Sequence, residues 1–298
     1  MIQNLPEEEY FEKGHRACAG CGAALAVRHL LKAAGPNTIV CHATGCMEVV
    51  STPYPESAWK IPWIHVAFEN AAAVASGVER ALKVLGKNDV NVVALAGDGG
   101  TFDIGFQALS GAVERGHDFL YVCYDNGAYM NTGVQRSGAT PQFAATSTSP
   151  AGKKIHGKME NKKPMPLILA AHGAYVATAN IAYPLDFVKK VQKGLKHEGP
   201  AYVQVFTPCP PGWGSLPEDT IDICRLAFET KVTPLYEIEG GVLTFSKKPA
   251  KDVPVTEFLR LQGRFKHLSE DEVKAMQASL DDQWQRLLKL EETKVRLC

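Results

Sequence analysis

The sequence predicts a doubly wound α/β fold on a mostly parallel sheet, and three observations predict it. Short apolar runs rich in β-branched or aromatic residues alternate with stretches of helical periodicity, several helical stretches end near Gly, Asn or Pro, and the order reads βαβα. In chain order, residues 23–32 read as a helix, 38–41 as a strand, 69–85 as a helix, 90–96 as a strand, 105–115 as a helix and 119–124 as a strand. A strand at 175–179, a helix at 185–197 and a strand at 202–206 follow. Between them, residues 141–166 turn polar and basic, with Lys153, Lys154, Lys158, Lys162 and Lys163, and read as a solvated excursion over an active or contact surface. Near the C-terminus Ser269 and Glu272 form a capping-box pattern, after which Val273, Met276, Leu280, Trp284 and Leu287 recur at helical spacing. The expected organisation is a domain over residues 1–240 and a C-terminal helical extension, 241–298, packed on that domain or on a partner subunit.

Composition bounds the function. The 298 residues are 45% hydrophobic and 21% charged, as in globular proteins. Lys+Arg 32 against Asp+Glu 32 leaves no global charge to attract nucleic acid or an anionic membrane, so neither is expected as a partner. No apolar run approaches the roughly 20 residues of a spanning helix. The first residues carry Glu7, Glu8 and Glu9 where a signal peptide would be basic and then apolar, so the expected location is cytoplasmic. In that reducing compartment, eight cysteines are metal ligands, reactive thiols or small buried hydrophobes.

The strand at 90–96 runs into Gly97, Asp98, Gly99 and Gly100, where glycines let the backbone approach a diphosphate and a helix is expected a few residues later. The strand at 119–124 ends in Asp125, Asn126 and Gly127, which places Asn126 28 positions after Asp98. One strand, a crossover helix and the next strand consume about that length, so both loops converge at one sheet edge. Mg²⁺ suits the space between them, because Asp98 and Asn126 supply a carboxylate and an amide oxygen, and the Ala128 carbonyl can supply a third ligand.

Cys18 and Cys21 form a C-x-x-C turn, Cys46 lies in the loop 43–48, and Cys209 lies in a Pro-flanked loop after the strand 202–206. Four thiolates suffice for a 4Fe-4S cluster or for a zinc. Cys224, in a helix-like stretch, is the rival for fourth ligand; Cys41 and Cys123 sit in apolar strands and read as packing residues, and Cys298 is terminal.

The joint pattern of Ala17-Cys18-Ala19-Gly20-Cys21-Gly22, the loop 43–48, Gly97-Asp98-Gly99, Asp125-Asn126 with Tyr129-Met130-Asn131-Thr132-Gly133, and Pro208-Cys209-Pro210 resembles the β subunit of the 2-oxoacid:ferredoxin oxidoreductases, most closely its pyruvate-using members. The resemblance covers roughly residues 12–240. It implies the diphosphate-binding half of a thiamine diphosphate-binding fold, with Asp98, Asn126 and the Ala128 carbonyl on Mg²⁺. It places Gly45, Glu48, Gly97, Gly99, Gly100, Met130 and Asn131 about the cofactor and Cys18, Cys21, Cys46 and Cys209 on one 4Fe-4S cluster. Asn131 would face the reacting carbons as the catalytic side chain. The implied reaction is reversible oxidative decarboxylation of a 2-oxoacid with coenzyme A, its electrons passing through the cluster to ferredoxin; branched-chain or aryl 2-oxoacids, or oxalate, are alternatives to pyruvate. The acid that activates thiamine's aminopyrimidine would come from another subunit or domain, and onward electron transfer would need a ferredoxin-like partner subunit. Two rival readings are a thiamine enzyme without a cluster and a zinc-stapled, non-enzymatic binding module.

Overall fold

The computed structural model describes residues 4–152 and 156–298, so Lys153 and Lys154 lie outside the described residues. Among the described residues eight strands form one sheet: β1 Thr38–Ala43, β2 Trp63–Val66, β3 Asn91–Gly97, β4 Leu120–Asp125, β5 Tyr175–Asn180, β6 Ala201–Phe206, β7 Leu235–Glu239 and β8 Val242–Lys247. Their order is β2-β1-β3-β4-β6-β5-β7-β8, parallel through β5 and antiparallel for β7 and β8. The α-helices are α1 Gly22–Ala34, α2 Cys46–Ser51, α3 Ala71–Val84, α4 Asp98–Phe102, α5 Phe106–Glu114, α6 Met165–Ala171, α7 Pro184–Lys196, α8 Pro210–Trp213, α9 Thr220–Glu229, α10 Val255–Leu259 and α11 Glu270–Thr293.

Because β3 is buried on both sides, its residues alternate between two cores. Val93 and Leu95 pack with the layer holding α1 and α7, while Val92, Ala94 and Ala96 pack with α3 and α5. Leu30 and Leu31 of α1 are fully buried on the first face, worth roughly 1.5–3 kcal/mol each. The doubly wound, mostly parallel expectation holds, and each expected strand and helix is present within a few residues. The capping box forms: Ser269 Oγ accepts the Glu272 N–H at 3.3 Å and the Glu272 carboxylate accepts the Ser269 N–H at 2.8 Å. Trp284 of that helix packs on Phe245 of β8, ring centroids 4.9 Å apart.

Three features depart from expectation. The helix after β3 begins at Asp98 itself, so Gly99 and Gly100 lie inside α4 while Gly97 ends the strand. Position 240 falls in the turn of the β7–β8 hairpin, and residues on both sides of it continue the same sheet. Parts of the 141–166 segment are packed down rather than solvated: Lys158 is 3% exposed and donates to the carbonyls of Gly138 and Thr140 at 3.2 and 2.7 Å, while Phe143 and Ala144 join the core and residues such as Ser147, Glu160 and Lys163 remain exposed. A buried ammonium is tolerated there because carbonyl oxygens replace its water.

Candidate functional site

At the carboxyl edge of the sheet, the chain leaves β1 towards the face of α1 and leaves the neighbouring β3 towards the face of α3 and α5. Adjacent strands that feed opposite faces open a crevice, the usual place for a ligand in such sheets. Here it holds about 360 Å³ of empty space, walled by Thr44, Gly45 and Cys46 after β1, by Gly97, Gly99 and Gly100 at β3, and by Asn126, Ala128, Met130 and Asn131 after β4. A roomier hollow of about 1120 Å³ under α11, lined by Thr233, Tyr236 and Arg286 among others, contains none of these turns.

Asp98 is fully buried at the start of α4. Its Oδ1 accepts the Asn126 backbone N–H at 3.3 Å and its Oδ2 accepts the Ser137 hydroxyl. No cationic side chain pairs with it among the described residues. Burial and the charge of neighbouring Asp125 push its carboxyl well above the usual carboxylate range. A bound cation would reverse that preference. The Asn126 side-chain amide, in the orientation that satisfies its neighbours, donates to Asp98 Oδ1 at 2.9 Å and to the Ala128 carbonyl at 2.8 Å; turned over, it would set its oxygen at the same distances from both. Oxygens so spaced repel unless something positive joins them. The edge between neighbouring ligands of an octahedron with metal–oxygen bonds of 2.0–2.1 Å is about 2.9 Å, which the two separations about Asn126 match. Trp213 fixes the loop from behind, its indole N–H donating to the Asn126 carbonyl at 2.7 Å.

The second cluster of groups is sulfur. The Cys21 N–H returns to the Cys18 carbonyl at 3.1 Å, and Gly20 takes a left-handed φ of 71° with no room for a Cβ, which would lie 2.6 Å from the Pro217 carbonyl oxygen. The next turn brings Cys209 alongside: the Gly22 N–H donates to the Pro208 carbonyl at 3.1 Å, and a Cβ at Gly22 would stand 2.8 Å from the Pro208 nitrogen. Burial pushes the Cys46 thiol up to about 12 and Cys209 up to about 11; Cys209, Cys21 and Cys18 add to the rise at Cys46, and Cys21 and Cys18 to that at Cys209. These thiols resist ionising unless a positive centre binds them. They are electrostatic neighbours without converging on a point: among the described residues no three His, Cys, Asp or Glu side chains gather tightly enough for one metal ion. Cys224 stands apart, fully buried in α9, its ionisation influenced by burial, the Ala182 N–H and Arg225 but by no other thiol. Cys41 and Cys123 are buried packing residues.

The structure brings Gly45, Cys46, Gly97, Gly99, Gly100, Asn126, Ala128, Met130 and Asn131 to one crevice. Glu48 is not on its wall; its carboxylate accepts the Thr52 hydroxyl at 3.1 Å and faces His65 Nδ1 at 3.7 Å. The glycines also serve neighbours that sequence reasoning missed. A Cβ at Gly99 would lie 2.4 Å from the Tyr129 ring, whose hydroxyl donates to the Gly99 carbonyl at 2.9 Å, and one at Gly97 or Gly45 would meet Tyr124. Arg264 was also missed: buried, it stacks 3.7 Å over the Trp213 ring, and burial pushes its guanidinium down to about 9. A buried Trp needs an acceptor for its N–H, which was the one available signal for Trp213.

Residues 38–205 match the thiamine pyrophosphate enzyme family through its C-terminal TPP binding domain. The chain is 57% identical over 290 residues to pyruvate synthase subunit PorB of Methanocaldococcus jannaschii, covering 95% of this chain and 97% of that one. It is 47% identical over 296 residues to ketoisovalerate oxidoreductase subunit VorB of Pyrococcus abyssi, covering 97% and 95%. A solved structure of 2-oxoglutarate:ferredoxin oxidoreductase from Magnetococcus marinus, with 2-oxoglutarate, coenzyme A and succinyl-CoA bound, superposes with a TM-score of 0.58 at 28% identity over 70% of this chain and 69% of that chain.

Proposed function

The chain belongs to the β subunits of the 2-oxoacid:ferredoxin oxidoreductases, and from that premise we propose that it carries thiamine diphosphate, Mg²⁺ and one 4Fe-4S cluster in an enzyme that converts pyruvate and coenzyme A to acetyl-CoA and CO₂, with electrons leaving to ferredoxin. The observation that carries this reading is the position of Cys46, a member of the thiol set, on the wall of the crevice that Asn126 and Ala128 also line. Thiamine supplies an organic electron sink when bound, and a cluster beside it accepts those electrons.

This chain's residues divide the remaining tasks. Asp98, Asn126 and the Ala128 carbonyl would hold Mg²⁺, whose charge would offset that of a diphosphate. Met130 walls off water on the side towards Cys209, since a Cβ at the intervening Gly212 would lie 2.4 Å from its sulfur. Asn131, exposed at the crevice mouth, offers an amide to the oxygens of a 2-oxoacid. Cys18, Cys21, Cys46 and Cys209 hold the cluster. The acid facing the aminopyrimidine comes from another subunit. All eight cysteines are unpaired thiols, which suits a reducing, cytoplasmic compartment.

The ketoisovalerate relative favours a branched-chain 2-oxoacid as the second substrate reading. The test is anaerobic purification with co-expressed partner subunits, followed by iron, sulfide and thiamine analysis and a 2-oxoacid panel. A brown protein with thiamine that reduces ferredoxin on pyruvate and coenzyme A is expected. Zinc in place of iron, or no thiamine, would overturn the reading.

A further inference from the structure

The loop after β4 serves two spaces. Asn126 and Ala128 line the crevice, whereas Asp125 and Gly127 line a second hollow of about 690 Å³ between this loop and α11. Asp125, Lys162, Phe206 and Gln283 belong also to the hollow of about 1120 Å³ beyond it, so the two adjoin under the helix. Their walls are mostly hydrocarbon, from Phe206 of β6, Phe258 of α10, and Leu280 and Leu287 of α11.

The charges that line this space do not cancel. Asp125 is met by Lys162, by Gln204 and by the Gly127 N–H. At the outer rim Arg286 pairs with Asp282 at 2.6 Å, and Lys163 stands in solvent. Arg264 differs from all of them. It is 7% exposed, and its Nε and Nη2 share one neutral acceptor, Gln262 Oε1, at 3.0 and 2.8 Å. Its Nη1 has no acceptor among the described residues and lies beside Gly127 on the wall of the hollow, where a Cβ at Gly127 would be 3.0 Å away. A guanidinium keeps its charge in a protein, and a buried charge is costly unless an opposite one meets it. Water would fill the donor and leave the charge.

We infer that the space under α11 is a binding site for a monocarboxylate with a hydrocarbon body, its carboxylate on Arg264 Nη1 and its chain along Phe206 and Leu280. One uncompensated buried cation matches one negative charge, and apolar walls match carbon behind it. Inorganic phosphate would meet the cation but leave the apolar walls uncovered. The site lies across the loop from the crevice, and its ligand is not the 2-oxoacid of the reaction proposed above.

The test is isothermal titration calorimetry of the assembled complex with octanoate, octanol and inorganic phosphate. Octanoate is expected to bind once per copy of this chain, octanol about tenfold more weakly, and phosphate not measurably. Arg264→Met should bring octanoate down to the level of octanol. Gln283 is exposed on α11 where both hollows meet, so Gln283→Trp should fill the space and weaken both ligands about tenfold or more; it keeps the test decisive if Arg264→Met fails to fold. Octanoate binding as tightly to Gln283→Trp as to the parent overturns the inference, because the ligand then sits elsewhere. Octanol equal to octanoate in the parent also overturns it, since the guanidinium would then recognise nothing. Displacement of octanoate by phosphate would refute the carboxylate class, and a parent complex that takes no octanoate would show the hollow filled by another chain.

Discussion

Two buried aspartates end adjacent strands, and the chain treats them in opposite ways. Asp125 is neutralised from within: Lys162 pairs with its Oδ2, Gln204 Nε2 donates to the same oxygen at 2.7 Å, and the Gly127 N–H donates to Oδ1 at 3.1 Å. Asp98, at the end of β3, receives a hydroxyl and one long N–H bond and no cation. The lysine that serves Asp125 comes from a segment 37 residues further along the chain. Burying a carboxylate without a counter-charge is costly, so a site built that way is one whose positive partner arrives from solution. Asp125 thus carries its counter-charge within the fold, and Asp98 is the carboxylate we propose receives one from a bound cation.

The sharpest way to break this contrast is to remove each carboxylate's partner in turn. Asp98→Ala should lower retention of thiamine diphosphate and Mg²⁺ by a factor of about 100 or more while leaving the visible absorption of the cluster, measured on the purified complex. Retention at the wild-type level would place the cation elsewhere. Lys162→Met should leave cofactor chemistry in place but destabilise the fold by about 2 kcal/mol. That figure lies below the 3–5 kcal/mol of a fully buried pair because the lysine is 35% exposed. Adding Asp125→Asn should restore most of the loss in thermal unfolding, and a double variant no better than the single would mean that Lys162 acts through something other than Asp125.

Histidine shows a third way to bury a titratable group, which is to keep it neutral. His29 on α1 is 6% exposed, its Nδ1 has no hydrogen-bond partner, and burial, with the charges of Arg28 and Lys32, pulls its pKa down to about 4. Below an unfolded value near 6.5 the unfolded chain takes up a proton that the folded chain refuses, so stability falls as the pH drops from about 6.5 towards 4. His29→Gln should flatten that acid limb by roughly 1–2 kcal/mol at pH 5 in urea unfolding, relative to the parent. An unchanged slope would place the acid sensitivity in other groups. The smallest effect is at the crevice mouth. Asn131→Ala should slow turnover about tenfold with thiamine and iron content intact, and wild-type kinetics would make it a turn residue only.

Much of the architecture was legible because buried parallel strands write themselves as unbroken apolar runs. The edges were harder. β2 is four residues long and half exposed, so Trp63 to Val66 shows neither a long run nor a clean alternation. The β7–β8 hairpin carried a readable signal in Gly240–Gly241 between two apolar segments, but it lay where the sheet changes from parallel to antiparallel. Lys158 and Lys162 looked like a solvated face because charge was weighed without the carbonyls and the carboxylate that receive them.

Alone, the sequence determined the five central strands as apolar runs, the capping box of α11 and the C-x-x-C turn of Cys18 and Cys21, each of which depends on residues close together in the chain. Only the tertiary structure decided how closely the Cys209 loop approaches the C-x-x-C turn, that Trp213 braces Asn126 from 87 residues away, and that Asp98 is the carboxylate left without a cation among the described residues. Those outcomes turn on backbone approaches such as Gly22 against Pro208 and on which buried charge a distant lysine reaches. Local propensity carries no record of such distances, because the energy that fixes them arises when remote segments are packed together.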